Sequence, residues 1–192
     1  MCVWIRHPLP EDRPSIEAVV ADAFSEPVDG PVARMLHALD QTNASRVDLV
    51  AIESEAVVGH VRLSRGWIDA RERLVTVLIL SPLAVVQDHQ GRGIGTKLLA
   101  AALAEADELG APAVFLEGSW NYYGARGFTR ASDHAFDRPS RRIPAPAFQV
   151  ALGASYEPWM RGGVVYPEAF WLTDAVGLRD PELSEVERRV EG

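Results

Sequence analysis

The stretch VTVLILSPLAVV, Val75 to Val86, passes through Gln87, Asp88 and His89 into QGRGIGT, Gln90 to Thr96, and then into the alanine- and leucine-rich run Lys97 to Leu109. The first run is almost wholly apolar and reads as a central strand buried on both faces. The last reads as a helix. A strand that empties through glycines into a helix is an anion-binding device, because the turn aims unpaired backbone N–H groups at one point and the helix dipole adds partial positive charge there. Spacing decides which anion. A P-loop places Lys and then Ser or Thr directly after its last glycine, whereas Lys97 follows Thr96 and precedes Leu98. A dinucleotide fingerprint needs G-x-G-x-x-G; its last position falls on Thr96 when counted from Gly91 and on Leu98 when counted from Gly93. Both readings fail.

Two further features flank the turn. Pro82 cannot donate a ladder hydrogen bond, so it predicts a bulge or the point where this strand and its neighbour separate. Downstream, Ala111 to Glu117 reads as a short apolar strand between Gly110 and Gly118, followed by SWNYYGARGF, Ser119 to Phe128.

The order Gln90-x-x-Gly93-x-Gly95, then Tyr123-x-x-x-Gly127-Phe128, resembles the GNAT superfamily of acetyl-CoA-dependent N-acetyltransferases. With the approach Leu80 to Val85 and the double tyrosine Tyr122-Tyr123, it is similar to a bacterial subgroup of predicted N-acetyltransferases. The resemblance spans Val3 to Leu152 and is sharpest from Val75 to Phe128. It implies an α/β (α+β) fold in which a mixed, mostly antiparallel central sheet with splayed central strands is flanked by helices. It also implies acetyl-CoA as co-substrate, no metal, and a primary amine of a small molecule or protein as acceptor, with direct transfer in a ternary complex.

By the same resemblance, the backbone of Leu83, Ala84 and Val85 pairs with the pantetheine arm. Gln90, Gly91, Arg92, Gly93, Ile94, Gly95 and Thr96 hold the diphosphate, with Tyr122 beside it. Glycines at Gly93 and Gly95 remove Cβ atoms that would keep a diphosphate from the backbone, and Arg92 adds charge at the rim. Tyr123 is implied as the general acid for the departing thiolate, a role suited to a phenol with a reference pKa near ~10. The alternatives are that Tyr123 only packs its ring or that Tyr122 takes its place. Many relatives draw their base from a glutamate on the central strand, but Val75 to Val86 carries no carboxylate. Glu117, His60 and a water chain therefore stay open as the route for the amine's proton.

Other classes remain beside this one. A non-catalytic acyl-CoA-binding regulatory module would keep the turn without needing a phenol at the thioester. An unrelated nucleotide-binding protein is opposed by the failed spacings.

Composition sets the frame. With 192 residues, 47% hydrophobic and 24% charged, the chain predicts one core: an acetyltransferase domain over residues 1–155 and an extension over 156–192 that packs on it and ends in a charged tail. A net charge of −8 opposes general nucleic-acid binding, and Arg138, Arg141 and Arg142 read as a solvated loop more readily than as an anion patch. Cys2 is the sole cysteine, so no intramolecular disulfide is expected. With neither a leader-like apolar start nor a run long enough to cross a bilayer, the expectation is a cytoplasmic protein. Helices are predicted over Pro14 to Phe24 and Pro31 to Leu39, as one wall of the acceptor site, and a hairpin over Asp48 to Arg65 turning near Glu55. Trp159, Tyr166 and Trp171 are expected at the surface, where they would suit a homodimer contact.

Overall fold

The computed structural model describes residues 3–191; Cys2 lies outside the described residues. The strands are β1 (Trp4–Arg6), β2 (Ser45–Glu53), β3 (Ala56–Ala70), β4 (Leu74–Val85), β5 (Ala113–Glu117), β6 (Thr129–Arg130), β7 (Phe136–Asp137), β8 (Phe148–Leu152) and β9 (Gly162–Val165). The helices are α1 (Arg13–Phe24), α2 (Pro31–Gln41), α3 (Ile94–Glu108), α4 (Trp120–Gly124), α5 (Glu168–Leu172) and α6 (Glu182–Glu191). The sheet runs β1-β2-β3-β4-β5-β8-β6, and β9 joins the far end of β3 and pairs with β7. All of the pairings are antiparallel except β4 with β5 and β7 with β9. The mixed, mostly antiparallel sheet flanked by helices agrees with the sequence expectation.

The hairpin β2–β3 turns at Ser54 and Glu55, both at positive φ, and β3 runs on past Arg65 to pair with β9 through Trp67 to Ala70. The expected helix around Tyr123 is a short one. It begins at Trp120 and closes at Gly124, because Gly127 takes φ +89°, a left-handed conformation that glycine supplies cheaply and that ends a helix.

β4 organises the rest. Val75, Val77 and Ile79 face the layer formed with α2 and α5, where Met35, Leu39, Phe115 and Phe170 are buried. Leu78 and Leu80 face the other layer, against Leu98, Leu99 and Ala102 of α3. This is the period of two expected of a strand. The pairing with β3 then shifts register: Leu80 lies opposite Leu63 and Leu83 opposite Val61, leaving Ser81 and Pro82 against Arg62 alone. The extra residue reverses the alternation. Beyond the bulge Leu83 and Val85 pack toward α3, while Ala84 turns to Ile16 and Val19 of α1.

The partnership with β5 ends just before the bulge. β4 and β5 are in register only at Leu78 with Val114 and Ile79 with Phe115, so the strands part where Pro82 predicted.

Phe115 anchors the layer beneath α2 and α5. Fully buried, it stacks on Phe148 at 5.6 Å and meets the edge of Phe136 at 4.9 Å. Aromatic pairs of this geometry add to the stabilisation from burial alone. Truncation to Ala should destabilise the chain by about 3–5 kcal/mol, read as a lowered midpoint in urea denaturation.

Candidate functional site

Two cavities adjoin the gap between β4 and β5. The first, of about 600 Å3, is lined by Leu83 and Val85, the turn from His89 to Thr96 without Arg92, and Tyr122, Tyr123 and Arg126. Gly91 and Gly93 hold φ +73° and +82°, left-handed values that cost little only for glycine, and a Cβ on either would meet nothing within 4 Å. α3 starts at Ile94 with no side chain capping it. Its first intrahelical backbone bond runs from the Lys97 N–H to the Gly93 carbonyl, 3.1 Å. The amides of Ile94, Gly95 and Thr96 are thus left without helical acceptors at the positive end of the dipole.

Within this turn the roles differ from the simplest expectation. Gln90 Nε2 donates to the Val85 carbonyl at 3.0 Å, so its side chain closes the end of the strand. Arg92 turns away, its guanidinium bonded to Glu53 at 2.6 Å, and is absent from the lining. Gly95 is needed for a neighbour as well: a Cβ there would stand 2.5 Å from the Tyr122 hydroxyl. The cation at this cavity is Arg126, which escaped the sequence reading. It stacks over the Tyr122 ring at 3.8 Å and donates to Thr96 Oγ1 at 2.9 Å. Its four-residue spacing from Tyr122 was the available signal.

Tyr123 packs edge-on to Tyr122 and Phe128. Burial, with a smaller contribution from Tyr122, pushes its phenol up to about 12.

The second cavity, of about 710 Å3, lies on the side of α1, α2 and α5 and takes in Leu80, Ser81, Glu117 and Gly118. Glu117 accepts from the Gly177 N–H at 2.9 Å. Burial raises its carboxyl to about 7, although that bond, the Tyr166 hydroxyl and, least, Arg142 pull the other way. The Tyr166 hydroxyl is directed at this carboxyl and each shifts the other's pKa, but their contact falls short of regular hydrogen-bond geometry. Tyr166 is only 3% exposed, which corrects its expected surface position: it packs edge-on to Phe170. Trp159 is half-buried with Arg73 4.4 Å over its ring, and Trp171 is exposed.

Gly118 lines the second cavity and Tyr123 the first, and the two residues touch. A Cβ on Gly118 would lie 2.4 Å from Tyr123 Cε2, so the tyrosine ring packs directly on the residue that follows Glu117.

His60, the other candidate base, is absent from both linings. Fully buried, it contacts Asp48 at 2.7 Å, and Asp48 also accepts from Arg62 at 2.5 Å. Burial lowers its pKa, against the pull of Asp48; it belongs to a polar network between the sheet and α2. Arg138 and Arg142 donate to the Ile143 carbonyl and to Asp174, as a loop rather than an anion patch. Among the described residues no group of His, Cys, Asp and Glu is arranged to hold a metal, and no helix is long and apolar enough to cross a membrane.

Residues 14–128 match the acetyltransferase (GNAT) family. The chain belongs to this family. It is 30% identical over 163 residues to the uncharacterized N-acetyltransferase YjhQ of Escherichia coli K12, covering 84% of this chain and 83% of that protein. Among solved structures it is similar to the GNAT family N-acetyltransferase YhbS of Escherichia coli in complex with CoA, with a TM-score of 0.78, 28% identity, and 88% and 91% of the two chains covered. A GNAT family acetyltransferase from Brucella melitensis in complex with acetyl-CoA gives a TM-score of 0.71 at 28% identity, over 88% of this chain and 98% of that one.

The raised Glu117 carboxyl has a consequence for stability. An acid whose folded pKa lies above its unfolded value near 4.5 stabilises the fold while protonated, and that contribution is lost as pH climbs through about 7. Glu117→Gln keeps the neutral form at every pH, so its melting temperature should match the native protein's near pH 4 and exceed it at pH 8.

Proposed function

We propose that this acetyltransferase moves an acetyl group from acetyl-CoA to a primary amine by direct transfer at the gap between β4 and β5. The observation that carries this reading is the packing of the Tyr123 ring, which lines one cavity, on Gly118, which lines the other next to Glu117. The E. coli and B. melitensis structures, which hold CoA and acetyl-CoA, support the choice of donor.

In this reading the turn from Gly91 to Gly93 and the free amides of Ile94, Gly95 and Thr96 take the diphosphate, with Arg126 adding charge. The edge of β4 from Leu83 to Val85, which β5 no longer covers, offers backbone groups to the pantetheine as an added strand would. A backbone N–H near Leu83 or Val85 polarises the thioester carbonyl. Residues 1–155 then form the catalytic domain, and 156–192 complete the acceptor side through Tyr166, Phe170 and Glu182.

The reaction converts an ammonium and a thioester into an N-acetyl amide, a free thiol and one proton. Glu117, titrating at about 7, receives the proton that frees the amine's lone pair. The nitrogen attacks the carbonyl carbon, the C–S bond breaks, and the proton that the nitrogen then sheds goes to the departing thiolate, so the proton held by Glu117 is the one released to solvent. Tyr123, protonated throughout the working range because its pKa is about 12, donates a hydrogen bond to the departing sulphur. A thiol near ~8.5 is too acidic to draw the proton fully from such a phenol. Charge stabilisation at sulphur is therefore its role.

Acetyl-CoA should raise the melting temperature while NAD and ATP leave it unmoved, and Gly93→Val, placing a branched side chain at φ +82°, should abolish the shift. With an acceptor in hand, Tyr123→Phe should lower kcat by about 10–100-fold with little change in acetyl-CoA binding. Glu117→Gln should lower kcat/KM by about 100-fold or more and remove the rising limb of the pH profile near 7. Unchanged limbs and rates would transfer the base role to water.

A further inference from the structure

We propose that the acceptor is a dication: a primary amine joined through an apolar spacer to a second positive group. This rests on the transferase reading and deepens it for the cavity of about 710 Å3 beside Glu117. The walls there are apolar, from Phe24 and Val32 to Met35, Ile79, Phe170 and Val186. They suit a hydrocarbon stem, whose transfer from water is favourable in proportion to the area covered.

Charge sets the two ends of that stem. Arg179 is the lining's sole basic residue among those described, and it is spent on Asp174 through bonds of 2.7 and 2.8 Å. Asp174 in turn also takes Arg142 at 3.1 Å. Glu26, Glu117 and Glu182 also line the cavity, and no cation among the described residues forms an ion pair with any of them. Among the described residues Glu26 accepts only the Val32 N–H, at 3.3 Å. One carboxyl therefore stands at the inner end, and two enter from the α1–α2 loop and from α6.

The independent observation is the Tyr166 hydroxyl. It lines the cavity beside Glu117, in a residue 3% exposed, and though it acts on the Glu117 carboxyl it makes no hydrogen bond of regular geometry among the described residues. A buried hydroxyl left unpaired is costly, and an amine donating to Glu117 still has a lone pair or a second N–H for this phenol. An acceptor carrying a carboxylate at its far end would instead bring like charge against Glu26 and Glu182 at a partly buried site.

The test is a matched series on the full chain with acetyl-CoA, following thiol release: 1,5-diaminopentane, pentylamine and 6-aminohexanoate at one pH and ionic strength. The expected order is diaminopentane at least tenfold above pentylamine in kcat/KM, with 6-aminohexanoate lowest. Glu182→Lys, at an exposed position on α6, should cut the ratio of diamine to pentylamine to within about twofold; Glu182→Gln should give an intermediate ratio, and circular dichroism verifies that both variants fold. A 6-aminohexanoate rate equal to or above the diamine's overturns the proposal, as does a ratio untouched by Glu182→Lys. If acetyl-CoA raises the melting temperature but none of these amines is turned over, the dication is wrong while the donor assignment stands; absence of that shift removes the donor assignment itself.

Discussion

The parting of β4 from β5 after Ile79 is the constraint on which the rest of this molecule depends. Sheet hydrogen bonds are lost there, and the pairing with β3 accommodates two residues against one. The bulge does more than interrupt a ladder. By reversing which face successive side chains occupy, it sends Leu83 and Val85 toward α3 and the glycine turn, and leaves Leu80 and Ser81 on the opposite cavity. A regular strand would present one uninterrupted surface to each layer and bring neither cavity to the gap.

Around that gap the fold places groups whose properties depend on burial. Glu117 ends β5 with one backbone N–H to hold it and a low-dielectric surrounding that raises its carboxyl. Tyr123, one turn into the following segment, is pushed in the same direction by the same cause. A carboxyl titrating near neutrality and a phenol that stays protonated there are groups that the proposed acyl transfer would use. Neither property belongs to the residue type alone; both come from desolvation by neighbours contributed by several elements.

The charged groups divide by partner. Arg92, which sits in the middle of the glycine motif, is held by Glu53 on β2, a strand more than thirty residues earlier. Arg126 replaces it at the cavity because stacking on Tyr122 and bonding to Thr96 orient its guanidinium there. His60 is drawn into the polar network with Asp48 and Arg62. Each outcome follows from a contact between residues distant in the chain, which spacing cannot reveal.

What the sequence determined by itself is the local chemistry. Glycine at Gly91 and Gly93 follows from backbone conformations open to few other residues, Pro82 marks a ladder that must break, and the apolar periods of β4, α1 and α2 state which elements form and which face is buried. Tertiary structure alone decided the second cavity. Glu26, Glu117, Tyr166 and Glu182 come from the α1–α2 loop, β5, the segment before α5, and α6, and share one cavity only because those elements pack over the open end of the sheet. Tyr166 reads as one more surface aromatic in the chain and becomes a buried hydroxyl beside a carboxylate in the fold. The physical reason is that hydrogen-bond geometry and desolvation are properties of a place, assembled from residues far apart in sequence, whereas turn and period are properties of neighbours along the chain.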